Sequence, residues 1–156
     1  MFSFLGIGKN KSKEEKGIIG RFYENEQPVI LKFVNNLPNK KIIDTLPFLT
    51  VISWKYDGTN NNGMPPEKTN ARMITLEGAL KKSMDKTNIF THAYSRTGNN
   101  LKELVYYSTL QEDFMIILNQ TLKNHDAYPI EINFYEDKDW TDFKYILNNF
   151  ETKNPD

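Results

Sequence analysis

The 156-residue chain contains no cysteine. Disulfides, thiolate nucleophiles and zinc–thiolate sites are therefore excluded, and a cytoplasmic protein fits this composition. It also has no net charge, because Lys plus Arg and Asp plus Glu stand at 20 each. That balance leaves no electrostatic footprint for nucleic acid or an acidic membrane surface. No apolar run approaches the roughly 20 residues that a membrane span needs. The stretch Met1 to Ile7 is too short for a signal-peptide core, and its charges follow it rather than precede it. The chain has only two histidines, His92 and His125. No G-x-S-x-G, P-loop, H-E-x-x-H or G-x-G-x-x-G motif occurs, so neither a cofactor nor a metal is expected.

What is present is enough to build a core. Hydrophobic residues make up 38% and charged residues 26%, at a length that suits one domain. The expected organisation is a flexible tail over 1–16, one α+β domain over 17–150 and a disordered tail over 151–156. Phe2, Phe4 and Leu5 in the first tail form either a loose apolar end or a weak docking peptide.

Residues 21–35 predict a hairpin around Asn25-Glu26-Gln27, with Pro28 at the start of its second strand. A helical turn is expected near Ile42 and Ile43. Leu49 to Tyr56 (LTVISWKY) reads as a strand, rich in β-branched and aromatic residues. Asp57 to Thr69 (DGTNNNGMPPEKT) reads as a loop, and Asn70 to Asp85 as a helix with Met73, Leu76, Leu80 and Met84 on one face. A strand over 88–97, a Gly98-Asn99-Asn100 turn and a return strand over 101–108 follow. Thr109 and Glu112 have the spacing of a capping box before a helix with Leu110, Phe114, Ile117, Leu118 and Leu122 in its stripe. Tyr128 to Tyr135 alternates as a strand. From Leu49 the order is β-α-β-β-α-β, the ferredoxin-like split βαβ arrangement, with helices on one face of an antiparallel sheet. The N-terminal hairpin and a short C-terminal helix are additions to it.

The acidic stretch Tyr135 to Leu147 (YEDKDWTDFKYIL) admits two readings. Glu136, Asp137 and Asp139 are a paired-carboxylate acid–base site, or Asp139 caps a helix carrying Trp140, Phe143, Leu147 and Phe150. The spacing favours the cap. His92 is expected on one strand face with Phe90, Tyr94 and Arg96, a face able to stack a base or grip an anion. The strand LKELVYYS lacks the glycine that an RNA-binding version would need. His125 is expected to be solvated in its turn. The loop with Met64 between Gly63 and Pro65-Pro66 leaves a strand end close to Trp54 and Tyr56, and reads either as a recognition loop for a partner or as a variable, mobile connection. The candidate binding residues are thus Trp54, Tyr56, Met64, His92, Tyr94 and Arg96.

The runs W-K-Y-D-G and N-G-M-P-P, the L-E-G-A-L helix, V-Y-Y-S, Y-P-I-E-I and D-K-D-W-T-D-F together resemble the bacterial domain of unknown function 695 family, over roughly Leu49 to Phe150. That resemblance implies a small bacterial protein and carries over no catalytic residue. The chain is also distantly similar to the B-type regulator of ribonuclease E, which implies a compact α+β fold acting by binding a protein. That regulator is strongly acidic, whereas this chain is neutral. Two functions follow as expectations. One is a non-catalytic protein-binding or regulatory module with a protein partner. The other is a small hydrolase using the acidic cluster or His92.

Overall fold

In the computed structural model residues 17–150 are described; the two tails, with the docking reading of Phe2, Phe4 and Leu5, lie outside the described residues. Strands β1 (Gly17–Glu24) and β2 (Gln27–Val34) form the first hairpin. Its turn residues Asn25 and Glu26 both have positive φ, at 51° and 65°. That geometry matches the twist of the paired strands, and Asn tolerates it better than most residues. Helix α1 (Lys40–Thr45) follows, capped by the Asn39 side chain on the Ile42 amide. Then come β3 (Phe48–Lys55), α2 (Glu67–Met84), β4 (Phe90–Gly98), β5 (Leu101–Ser108), α3 (Gln111–Leu122), β6 (Ile130–Glu136) and α4 (Thr141–Phe150).

The six strands make one sheet in the order β1-β2-β4-β5-β3-β6, with every neighbouring pair antiparallel. β5 therefore lies between β3 and β4, which run parallel to each other and are joined through α2. The hairpin does not cover a sheet face. It extends the sheet through β2 pairing with β4.

The helices occupy both faces, which corrects the expectation of a single helical face. On one face Met73, Leu76 and Leu80 of α2 and Phe114 and Leu118 of α3 pack on Ile52, Trp54, Phe90, Leu104 and Tyr106. On the other, Ile43 of α1 and Phe143 and Ile146 of α4 pack on Leu31, Phe33, Val105 and Tyr107, with Trp140 between them. Adjacent residues of β5 alternate between the two cores, as the pleat requires. Burial of apolar surface on both sides at about 25 cal/mol per Å² is what holds such a three-layer arrangement together.

The acidic stretch initiates α4, but through a different residue from the one its spacing indicates. Asp137, not Asp139, supplies the cap: its Oδ1 accepts from the Thr141 amide at 2.9 Å and its Oδ2 from the Asp142 amide at 3.0 Å. The Trp140 backbone at φ 58° folds the chain back so that Asp137 reaches the free amides. Tyr107 adds a third contact, its hydroxyl donating to Asp137 Oδ2 at 2.7 Å. The Trp140 ring stacks on Tyr107 at 3.9 Å between centroids, and its Nε1 donates to the Leu46 carbonyl. Asp139 and Glu136 are exposed. The capping box is also corrected: α3 has no side-chain cap, and Thr109 Oγ1 instead donates to Asp113.

A groove beside the long helix

Helices α2 and α3 do not reach the hairpin half of their sheet face. On this face of β2, beside α2, Ile30 and Val34 are therefore only partly buried and Lys32 is exposed. Two cavities lie end to end along this strip. The first, of about 800 Å³, has Ile30, Lys32, Thr97 and Lys102 from the sheet, Glu67 and Asn70 from α2, and Asp57, Asn60, Asn61 and Met64 to Pro66 from the connecting loop. The second, of about 580 Å³, is lined by Val34, Pro38, Ile42, Glu77, Lys81, Met84, His92 and Tyr106. The ion pair of Lys102 Nζ with Glu77 Oε1, at 3.4 Å, joins them, because Lys102 lines one cavity and Glu77 the other.

The loop wall is built rather than slack. The Gly63 carbonyl accepts from the Tyr56 hydroxyl at 2.7 Å and from the Asn100 amide at 2.9 Å. The Gly58 amide donates to Asn100 Oδ1 at 2.7 Å, and Asn61 Nδ2 donates to the Met64 and Pro65 carbonyls. Gly63 has φ 79°, and a Cβ there would stand 2.6 Å from Gln27 Oε1, so only glycine fits without displacement. The helix after the loop begins at Glu67, three residues earlier than its apolar stripe indicates.

The six expected binding residues separate. Met64 and His92 line the two cavities. Tyr56 fastens the loop. Trp54 is 4% exposed and lies in the core, with the Arg72 guanidinium over its ring. Tyr94 and Arg96 face the α4 side. The cause is a β-bulge between His92 and Tyr94: His92 pairs with Tyr106, but Tyr94 pairs with Val105. One extra residue, Ala93, reverses the side chains that follow. The expected common face of His92, Tyr94 and Arg96 is corrected accordingly. Tyr94 donates to Asp142 Oδ2 at 2.8 Å and stacks on Phe143, so it pins α4. Arg96 bonds Glu24 Oε1 and the Gly98 carbonyl, tying the two hairpins together. His125 is not simply solvated, since its Nδ1 lies 2.7 Å from the Tyr128 hydroxyl.

Charge in the groove is unevenly placed. The Lys102 side chain is only 8% exposed. Burial lowers its pKa from the usual lysine value; Glu77 opposes that shift, and Lys32 adds to it. His92 is lowered to about 4, by loss of water first and then by the charges of Lys102 and Lys81. His92 lines the second cavity, and the residue as a whole is exposed. Tyr106, at the edge of the same cavity, is pushed up by burial and by Glu77. Sequence reasoning passed over Lys102 because a strand lysine reads as surface charge. The available signal was phase, since Lys102 alternates with Leu104 and Tyr106, which face the helices.

Among the described residues no helix is long and apolar enough to cross a membrane. Among the described residues no group of three or more His, Asp or Glu is placed to hold a metal ion. No curated protein and no solved structure matched the chain. A family model does match, and it spans residues 22–147, from the first hairpin to the last helix. The chain belongs to the family of unknown function DUF695.

Proposed function

We propose that the protein is a non-catalytic binding module that receives a segment of a protein partner in the groove between α2 and β2. The observation carrying this reading is the pair of cavities of about 800 and 580 Å³ set end to end. Each alone has the size of an ordinary small-molecule pocket, but the two follow one another along β2, the first lined by Ile30 and Lys32 and the second by Val34 and Asn36. The strip from Ile30 to Asn36 is about 20 Å long at strand rise, which suits an extended segment of about six residues. Ile30, Val34, Ile42 and Met64 offer apolar contact, and charges of both signs border it, the composition of a protein interface. Asp137 supports this reading over an acid–base enzyme, since both its oxygens already serve α4 and Tyr107. The same reading takes β3 to β6 with α2 and α3 as a ferredoxin-like unit widened by the hairpin; the strand order β4-β5-β3-β6 supports it.

The test compares the tagged wild type with a Met64→Asp, Ile42→Asp double variant as baits in host extract. Each substitution places a charge in one cavity at a side chain that is not fully buried. The expected result is one stoichiometric protein captured by the wild type and lost with the double variant, circular dichroism being unchanged. Equal capture by both baits, or capture by neither, would remove the groove from consideration.

A further inference from the structure

We propose that the anchor of this groove is a lysine pair, Lys102 with Lys32, which takes the carboxylate of an acidic side chain in the bound segment. The inference rests on the groove reading and adds to it a ligand chemistry and a position. An ammonium has three N–H donors. Glu77 approaches Lys102 from one side only, at 3.4 Å, and Glu77 is itself 35% exposed. The Lys102 side chain is more than nine-tenths buried, and the residue lines the larger cavity. A buried charge is favourable only when it is well paired and its remaining donors are satisfied.

Lys32 brings a second ammonium to the same cavity. Register places both lysines over β4: Lys32 opposite Ser95 on β2, and Lys102 opposite Thr97 on β5. Their stems therefore approach from the two neighbouring strands, and Lys32 acts on Lys102 as a like charge. One carboxylate against two ammonium groups leaves a positive excess at this point. An acceptor anion between the two amines would satisfy free donors and relieve their repulsion. Asp57 and Glu67 line the same cavity from the loop and from the start of α2, and would repel an anion that lay against them. The charges thus confine the acidic residue to the sheet end, near the junction with the second cavity.

His92 supplies the readout, because Lys102 is one of the charges that lower it. An anion seated on Lys102 should raise the His92 titration midpoint. The probes are the blocked peptides acetyl-Gly-Glu-Gly-amide and acetyl-Gly-Gln-Gly-amide, with inorganic phosphate as a third arm, followed by NMR of His92 and of the lysine Nζ resonances in the full chain. The Glu peptide is expected to shift Lys102 and raise the His92 midpoint, and the Gln peptide to do neither. Lys32→Gln, an exposed change safe for folding, should weaken the Glu peptide about five-fold, and Lys102→Met should abolish its effect. Equal responses to Glu and Gln, a response to phosphate alone, or unchanged Glu binding in a folded Lys102→Met variant would overturn the proposal. Partner capture lost in the Met64→Asp, Ile42→Asp variant but kept in Lys102→Met would sink the lysine anchor and leave the groove standing.

Discussion

Replacing Asp137 by Ala tests the account of how the last helix is held. The carboxylate accepts from two backbone amides at 2.9 and 3.0 Å and from the Tyr107 hydroxyl at 2.7 Å. Loss of a helix cap costs about 1 kcal/mol. Tyr107 has no exposed surface, so its hydroxyl would be left as a buried donor without its acceptor, at a cost of about 1–3 kcal/mol. The two together give about 3 kcal/mol, which lowers the melting temperature of a chain this size by about 6–12 °C. Urea unfolding followed by circular dichroism and by tryptophan fluorescence measures it. Trp140 stacks on Tyr107 and should report the change directly. A double-mutant cycle with Tyr107→Phe should show coupling of about 1–2 kcal/mol, because the residues share one hydrogen bond. A loss below about 1 kcal/mol, or an equal loss from Asp139→Ala, would refute the assignment of the cap to Asp137.

Gly63→Ala should cost about 1–2 kcal/mol from its left-handed backbone alone, and hydrogen exchange at the Asn100 amide, bonded to the Gly63 carbonyl, should quicken. Loss of water and the charges of Lys102 and Lys81 hold His92 below its ordinary 6.5 in the folded chain, so the unfolded chain binds more protons just below that value. Stability should therefore fall as pH drops below about 6.5, and His92→Gln should flatten that slope in pH-dependent urea titrations. Lys102→Met should change stability by no more than about 1 kcal/mol or increase it, because a buried ammonium with one distant partner is close to break-even; a loss above about 3 kcal/mol would mark Lys102 as structural instead.

Much of the fold is legible in the side-chain periods. Leu101 to Ser108 occupies a strand with the bounds its composition indicates, and Met73, Leu76 and Leu80 mark the buried face of α2. Period identifies which side of an element is apolar, but not which side of a sheet receives it. The placement of α4 across from α2 was therefore hidden. Ala93 was hidden for another reason: a bulge adds a residue without altering composition, so Tyr94 and Arg96 change sides silently. The groove depended on what α2 leaves uncovered, a tertiary fact with no local signature. Met64 was legible because a Gly-Met-Pro-Pro run must hold its side chain in a stiff loop.

The division of the interior by one sheet has a consequence for how the molecule comes apart. Tyr106 and Tyr107 are neighbours in sequence, yet each belongs to a separate set of packed side chains. Helix α4 is fastened by Trp140, Phe143 and the Asp137 latch on one side, while α2 and the groove stand on the other. The two sets lie on opposite faces of the sheet. Amides of α4 should therefore exchange through local openings that leave those of α2 protected, a difference hydrogen exchange would register.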